Sequence, residues 1–126
     1  SKNKILDMYC RKTGKLFEFA FSAPFILKYK SKKDIKFAKE FGMLYGLIFQ
    51  IIDDLIDEFG AFEKIGKTPG KDIKQGKSTL LQLIGRKKVI ELCRNKINTF
   101  IKKNNYKLKQ SPLLIELLEL SINRVN

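Results

Sequence analysis

Histidine is absent from the chain's 126 residues. Without an imidazole, Cys–His catalysis and the common zinc sites lose their usual base or ligand, so neither chemistry is expected. Cysteine is scarce. Cys10 and Cys93 stand alone and far apart, which suits a reducing, cytoplasmic setting, with a single disulfide as the alternative. Long hydrophobic runs are also missing: none approaches the ~18 residues of a membrane span. The opening SKNKILDMYC has neither the apolar core nor the small-residue cleavage site of a secretory signal. Period-two alternation, the signature of a half-buried strand, is nowhere sustained, and no segment repeats. Acidic residues are few. Lys and Arg number 26 against 13 Asp and Glu, for a net charge of +13. That excess points to an anionic partner (nucleic acid, acidic lipid or a phosphorylated small molecule) or is composition alone, since Lys and Asn fill polar positions throughout.

What remains is helical. With 44% hydrophobic residues the chain has enough apolar material for a core, so residues 1–126 read as a single all-α domain or part of one. Leu6 to Phe21 forms a first helix, interrupted or closed before Pro24. Ser31 and Asp34 are candidate caps for a second helix from about Ile35 to Phe59. Its stripe of Phe41, Leu44, Tyr45, Ile48, Ile52, Leu55, Ile56 and Phe59 steps by three and four. GAFEKIGKTPGKDIKQGKST follows, dense in glycine, and reads as a loop with room for one helical turn. Ser78 or Thr79 caps a short helix TLLQLIG, and an amphipathic helix runs from Arg86 to about Asn104. A polar linker, NNYKLKQ, leads to a last helix with Ser111 as cap and Pro112 in its first turn.

The stretch FQIIDDLIDEF places Asp53, Asp54, Asp57 and Glu58 inside the most apolar helix of a basic chain. At ~100° per residue, Gly42, Gly46, Gln50, Asp53 and Asp57 share one line, opposite the apolar stripe. No lysine interrupts that line. Its two glycines leave space for a neighbouring helix or for a ligand, the latter giving a bare-floored groove leading to carboxylates. Clustered carboxylates repel one another, and either nearby basic side chains or a hard divalent cation such as Mg²⁺ relieves the repulsion. The following segment supplies Lys64, Lys67, Lys71, Lys74 and Lys77 among glycines. Carboxylates for Mg²⁺ beside lysines suit a diphosphate. GKDIKQGKS is no P-loop: its glycine spacing is off by one and no βαβ unit surrounds it.

At this point the chain resembles a known family. FQIIDDLID followed by GKTPGKDIKQGKST closely resembles the second aspartate-rich region of the trans-isoprenyl diphosphate synthases, the farnesyl and geranylgeranyl diphosphate synthases. Arg11-Lys12-Thr13-Gly14 is similar to that family's Lys-Thr-Gly motif, at a suitable distance upstream. INRVN resembles its helical end with a late arginine. The resemblance covers nearly the whole chain and implies the C-terminal half of an isoprenoid-synthase helical bundle. It further implies that Asp53, Asp54 and Asp57 hold Mg²⁺ on an allylic diphosphate and that Lys12, Lys67 and Lys77 neutralise the departing diphosphate. Thr13 and Gln50 would sit beside the reacting carbon, where oxygen dipoles stabilise a developing cation. The implied reaction condenses the allylic diphosphate with isopentenyl diphosphate, and the complete enzyme would be a homodimer.

One departure stands out. The family's first aspartate-rich motif and its basic residues for isopentenyl diphosphate are missing, since Asp53-Asp54 are the only adjacent aspartates. The chain therefore reads as a fragment, or as one of two chains, that is inactive without its missing N-terminal half. The alternative is a non-catalytic helical module, derived from that fold, that binds an anion or a partner. Phe17, Phe19, Phe21 and Phe25 read as core or as the lining of a prenyl tunnel. The basic stretch from Arg86 to Lys109 reads as a solvated face, without the stacking pattern of a specific nucleic-acid site.

Overall fold

The computed structural model describes the backbone of residues 1–65 and 79–125, and the side chains of residues 1–58 and 79–125. Helix α1 (Lys2–Tyr9) runs into a π-helical turn at Cys10–Gly14 and on into α2 (Lys15–Leu27). The first helical region thus passes through Pro24, which sits one turn from the end of α2, instead of closing before it. A proline so near a C-terminus withdraws a single backbone hydrogen bond, and α2 stops three residues later. Tyr29 takes a left-handed φ of 52°, and the amide of Lys30 returns to the carbonyl of Phe25, closing the helix.

The chain then reverses into α3 (Lys32–Ile65), the longest element and the centre of the fold. Ser31 is its cap, its Oγ accepting from the Asp34 amide at 3.2 Å. Asp34 is not a second cap: it lies in the first turn and pairs with Lys107. α3 also runs past Phe59 to Ile65, into sequence read as loop; Gly60 is accommodated within it. Residues 66–78, which carry the rest of that expected loop, lie outside the described residues.

α4 (Leu80–Ile84) starts at Thr79 with a reciprocal capping box to Gln82 and ends at Gly85, whose φ of +83° suits glycine. α5 (Arg86–Lys103) buries Val89, Cys93 and Ile97 at four-residue steps and turns Arg86, Lys87 and Lys88 to solvent. The expected polar linker is a short helix, α6 (Asn105–Lys109), because Leu108 is fully buried and draws it against the core. α7 (Pro112–Asn123) has its proline at the start, as expected, but the Ser111 side chain makes no capping bond. Among the described residues there is no strand, and no helix is long and apolar enough to cross a membrane.

The core lies around α3. Ile48, Ile51, Ile52 and Leu55 meet Ile5 and Tyr9 of α1, Leu80 of α4, the inner face of α5, and Leu118 and Ile122 of α7. Each such side chain taken fully from water contributes roughly 1.5–3 kcal/mol. Arg94 of α5 bonds Glu119 of α7 at 2.7 Å across the rim of this layer. On its other side α3 packs along α2, so it is covered on two faces.

Candidate functional site

The site begins with small residues. α2 and α3 form an antiparallel pair whose backbones come unusually close. A Cβ added to Gly42 would lie 2.4 Å from the Phe17 carbonyl oxygen, and one on Gly46 would lie 2.9 Å from the Gly14 Cα. A Cβ on Gly14 would meet the Met43 sulfur at 2.4 Å. The glycine line of α3 is therefore filled by a neighbouring helix and is not a ligand groove. Its work is to let the π-helical turn press onto α3 one turn before Gln50. Around this contact Phe17 packs against Tyr45 and Phe49, with ring centroids 5.1 and 5.3 Å apart, and Phe21 packs edge-on to Phe41. Phe21 is thus partly buried against the core and Phe17 half-buried beside Tyr45 and Phe49, whereas Phe19 is 70% exposed.

That approach brings together residues far apart in sequence. Thr13 Oγ1 donates to Gln50 Oε1 at 2.7 Å, and Gln50 Nε2 donates to Asp54 Oδ1 at 3.0 Å. The other Asp54 oxygen, Oδ2, accepts from the Tyr9 hydroxyl at 2.5 Å. Tyr9 in turn accepts from the Leu80 amide at 3.2 Å. One relay thus ties the Lys-Thr-Gly turn, the aspartate-rich helix and the start of α4. Burial pushes the Asp54 carboxyl above the usual carboxylate range, and Asp53 and Asp57 push it the same way; the Tyr9 and Gln50 donors pull it back. Burial, reinforced by the bond to Asp54, drives the Tyr9 phenol well above its ordinary value.

Asp53 is half-buried and Asp57 exposed, one helical turn apart on α3. Among the described residues no three acidic or cysteine side chains converge as a ready metal cage. The donor set still fits Mg²⁺, which takes one or two carboxylates and shares its remaining positions with water and phosphate oxygens. Lys12 lies exposed on the π-helical turn, next to Thr13. Lys67 and Lys77 lie outside the described residues. At the other end of the chain Arg124 sits 5.5 Å from the centre of the Phe49 ring, adjacent in sequence to Gln50.

Of the sequence candidates, Thr13, Gln50 and Asp54 are brought into direct contact. Tyr9 escaped the sequence reading. Its only signal there is its position four residues before Thr13, and a buried tyrosine needs a partner for its hydroxyl.

The polyprenyl synthetase family profile matches residues 1–118. A short chain isoprenyl diphosphate synthase from Methanocaldococcus jannaschii is 32% identical over 117 residues, covering 93% of this chain and 36% of that protein. A farnesyl diphosphate synthase from Micrococcus luteus is 35% identical over 95 residues, covering 75% and 33%. A geranylgeranyl diphosphate synthase from Sulfolobus acidocaldarius is 32% identical over 93 residues, covering 74% and 27%. The chain thus spans about a third of the length of the curated relatives it matches. No solved structure matches it significantly.

Proposed function

The chain belongs to the polyprenyl synthetase family, and we propose that it supplies the allylic-diphosphate side of a prenyltransferase site. In this reading Asp53 and Asp57 form the acidic side of a Mg²⁺-diphosphate site, with Asp54 next to Asp53 on α3, and Lys12, Lys67 and Lys77 neutralise the diphosphate. Bound Mg²⁺ would supply Lewis-acid neutralisation of the departing diphosphate. Thr13 and Gln50 hold their oxygens toward the carbon that loses it, where fixed dipoles stabilise positive charge without reorganising. The allylic cation is then captured by the double bond of isopentenyl diphosphate, and a proton is lost.

The observation that carries this reading is the contact between Thr13 and Gln50. It joins the Lys-Thr-Gly turn to the aspartate-rich helix with both groups only half-buried. Two motifs of one chemistry are thereby held in one place by a hydrogen bond, not merely by order along the chain. The remaining parts of the site, including the first aspartate-rich motif, would come from sequence outside this chain. In the complete enzyme, a cytoplasmic homodimer, they would close the site over both substrates. Alone, the 126 residues are inactive.

Calorimetric titration with Mg²⁺ and inorganic pyrophosphate tests the binding half of the proposal. Binding of pyrophosphate that requires Mg²⁺ and weakens on Asp53→Asn is the expected result; metal-independent binding would leave only an anion-binding module. Incubation with geranyl and isopentenyl diphosphates should yield no longer prenyl diphosphate, and product formation by the purified chain would overturn the assignment of inactivity.

A further inference from the structure

With Asp54 ionised, the relay that runs from Leu80 to Thr13 has one consistent arrangement of protons. The Leu80 amide can only donate, so the Tyr9 oxygen accepts there and its own proton goes to Asp54 Oδ2. A carboxylate only accepts, so Gln50 must turn its amino group to Asp54 Oδ1. That leaves Gln50 Oε1 facing Thr13, whose hydroxyl must donate. The polarity of the Thr13–Gln50 pair is therefore set from the far end, through a tyrosine on another helix. Both Asp54 oxygens are already engaged by protein donors.

We propose that Tyr9 is a positioning residue of the diphosphate site, and that Asp54 belongs to its relay rather than to the metal shell. Together they fix the direction in which Thr13 and Gln50 present their oxygens. The inference rests on the reading of this end of α3 as a Mg²⁺-diphosphate site, and it deepens that reading by dividing the acidic cluster. Asp53 serves the cation, with Asp57 one turn further on, while Asp54 orients the groups that face the reacting carbon. A phenylalanine at position 9 would keep the packing of the ring against α3 and remove only the hydroxyl that joins three elements.

Two measurements on the full chain test this separately. In isotope-labelled protein, Tyr9→Phe should shift the Gln50 side-chain amide resonances. It should also speed exchange of the Leu80 amide by about tenfold or more, with helical circular dichroism unchanged. Gln50 and Leu80 signals that stay in place in Y9F would overturn the role of Tyr9, whatever the site binds. In calorimetric titration with Mg²⁺ and pyrophosphate, Asp54→Asn should stay within about twofold of the parent chain while Asp53→Asn weakens binding about tenfold or more. Equal losses in D53N and D54N would return Asp54 to the metal shell and overturn the division. If neither substitution weakens binding, the Mg²⁺-diphosphate reading itself fails, while the resonance measurement still decides the relay.

Discussion

Gly46 of α3 lies so close to Gly14 of the π-helical turn that a Cβ on Gly46 would stand 2.9 Å from the Gly14 Cα and 3.0 Å from the Thr13 carbonyl oxygen. Both obstacles are backbone, so neither can swing aside. Gly46→Ala therefore forces the turn away from α3. Overpacking of this kind costs about 1–3 kcal/mol, against a gain of roughly 1 kcal/mol in helix propensity. The expected net result is a loss of stability in urea unfolding and a broken Thr13–Gln50 bond. Gly42→Ala, with the Phe17 carbonyl at 2.4 Å, should be the worse of the two. A neutral or stabilising result at Gly46 would mean that the two helices are not in close contact.

Gln50 is held between a hydroxyl and a carboxylate, and only an amide satisfies both. Gln50→Glu replaces the donor facing Asp54 with a second acceptor and sets two carboxylates together in a half-buried position. Leaving a charged group without its donor costs about 1–3 kcal/mol. The loss should be largest near neutral pH and should shrink in acid, where one of the two carboxyls takes up a proton. Thermal unfolding of the variant at about pH 5 and about pH 7.5 measures it; a pH-independent loss would place its cause in packing instead.

The Thr79 capping box stands at the entrance to α4, immediately before the Leu80 amide that reaches Tyr9. Thr79→Ala removes the bond from the Gln82 amide and should cost about 1 kcal/mol, read as a lower urea midpoint with an unchanged slope. Thr79→Ser keeps the cap and should restore most of the loss. Equal losses in both variants would assign the effect to the Thr79 methyl.

Much of this was legible in the sequence because it rests on local rules. The stepping of Ile48, Ile52 and Leu55 announced a buried helix, Ser31 its cap, and Gly85 the end of α4. What stayed hidden depends on the distant chain. The glycine line of α3 has the same pattern whether it floors a groove or receives a helix, and only the placement of Phe17 and Gly14 decides. Pro24 reads as a stop in the sequence, yet a proline near a helix end withdraws too little to break it. NNYKLKQ looks like a linker until Leu108 is seen fully buried. Thr13, Gln50 and Asp54 could be nominated by motif, whereas Tyr9 acquires its role only through contacts with Asp54 and Leu80.

Cys93 offers a test of the core that is independent of the site. It is fully buried on α5, and that burial pushes its thiol up to about 12, with Lys96 pulling the other way. In the unfolded chain the thiol ionises near its ordinary value of about 8.5. Below that value both states keep the proton and stability is unaffected. Between about 8.5 and about 12 the unfolded state releases a proton that the folded state retains, so stability falls as pH rises, by at most about 1.4 kcal/mol per pH unit. The raised Tyr9 phenol acts with the same sign but only from about pH 10 upward, where a free tyrosine begins to ionise. Denaturant unfolding at about pH 8 and about pH 10 should therefore show a marked loss in the parent chain and a much smaller one in Cys93→Ala. Parallel losses in the two proteins would mean that Cys93 is not sealed in the core as described.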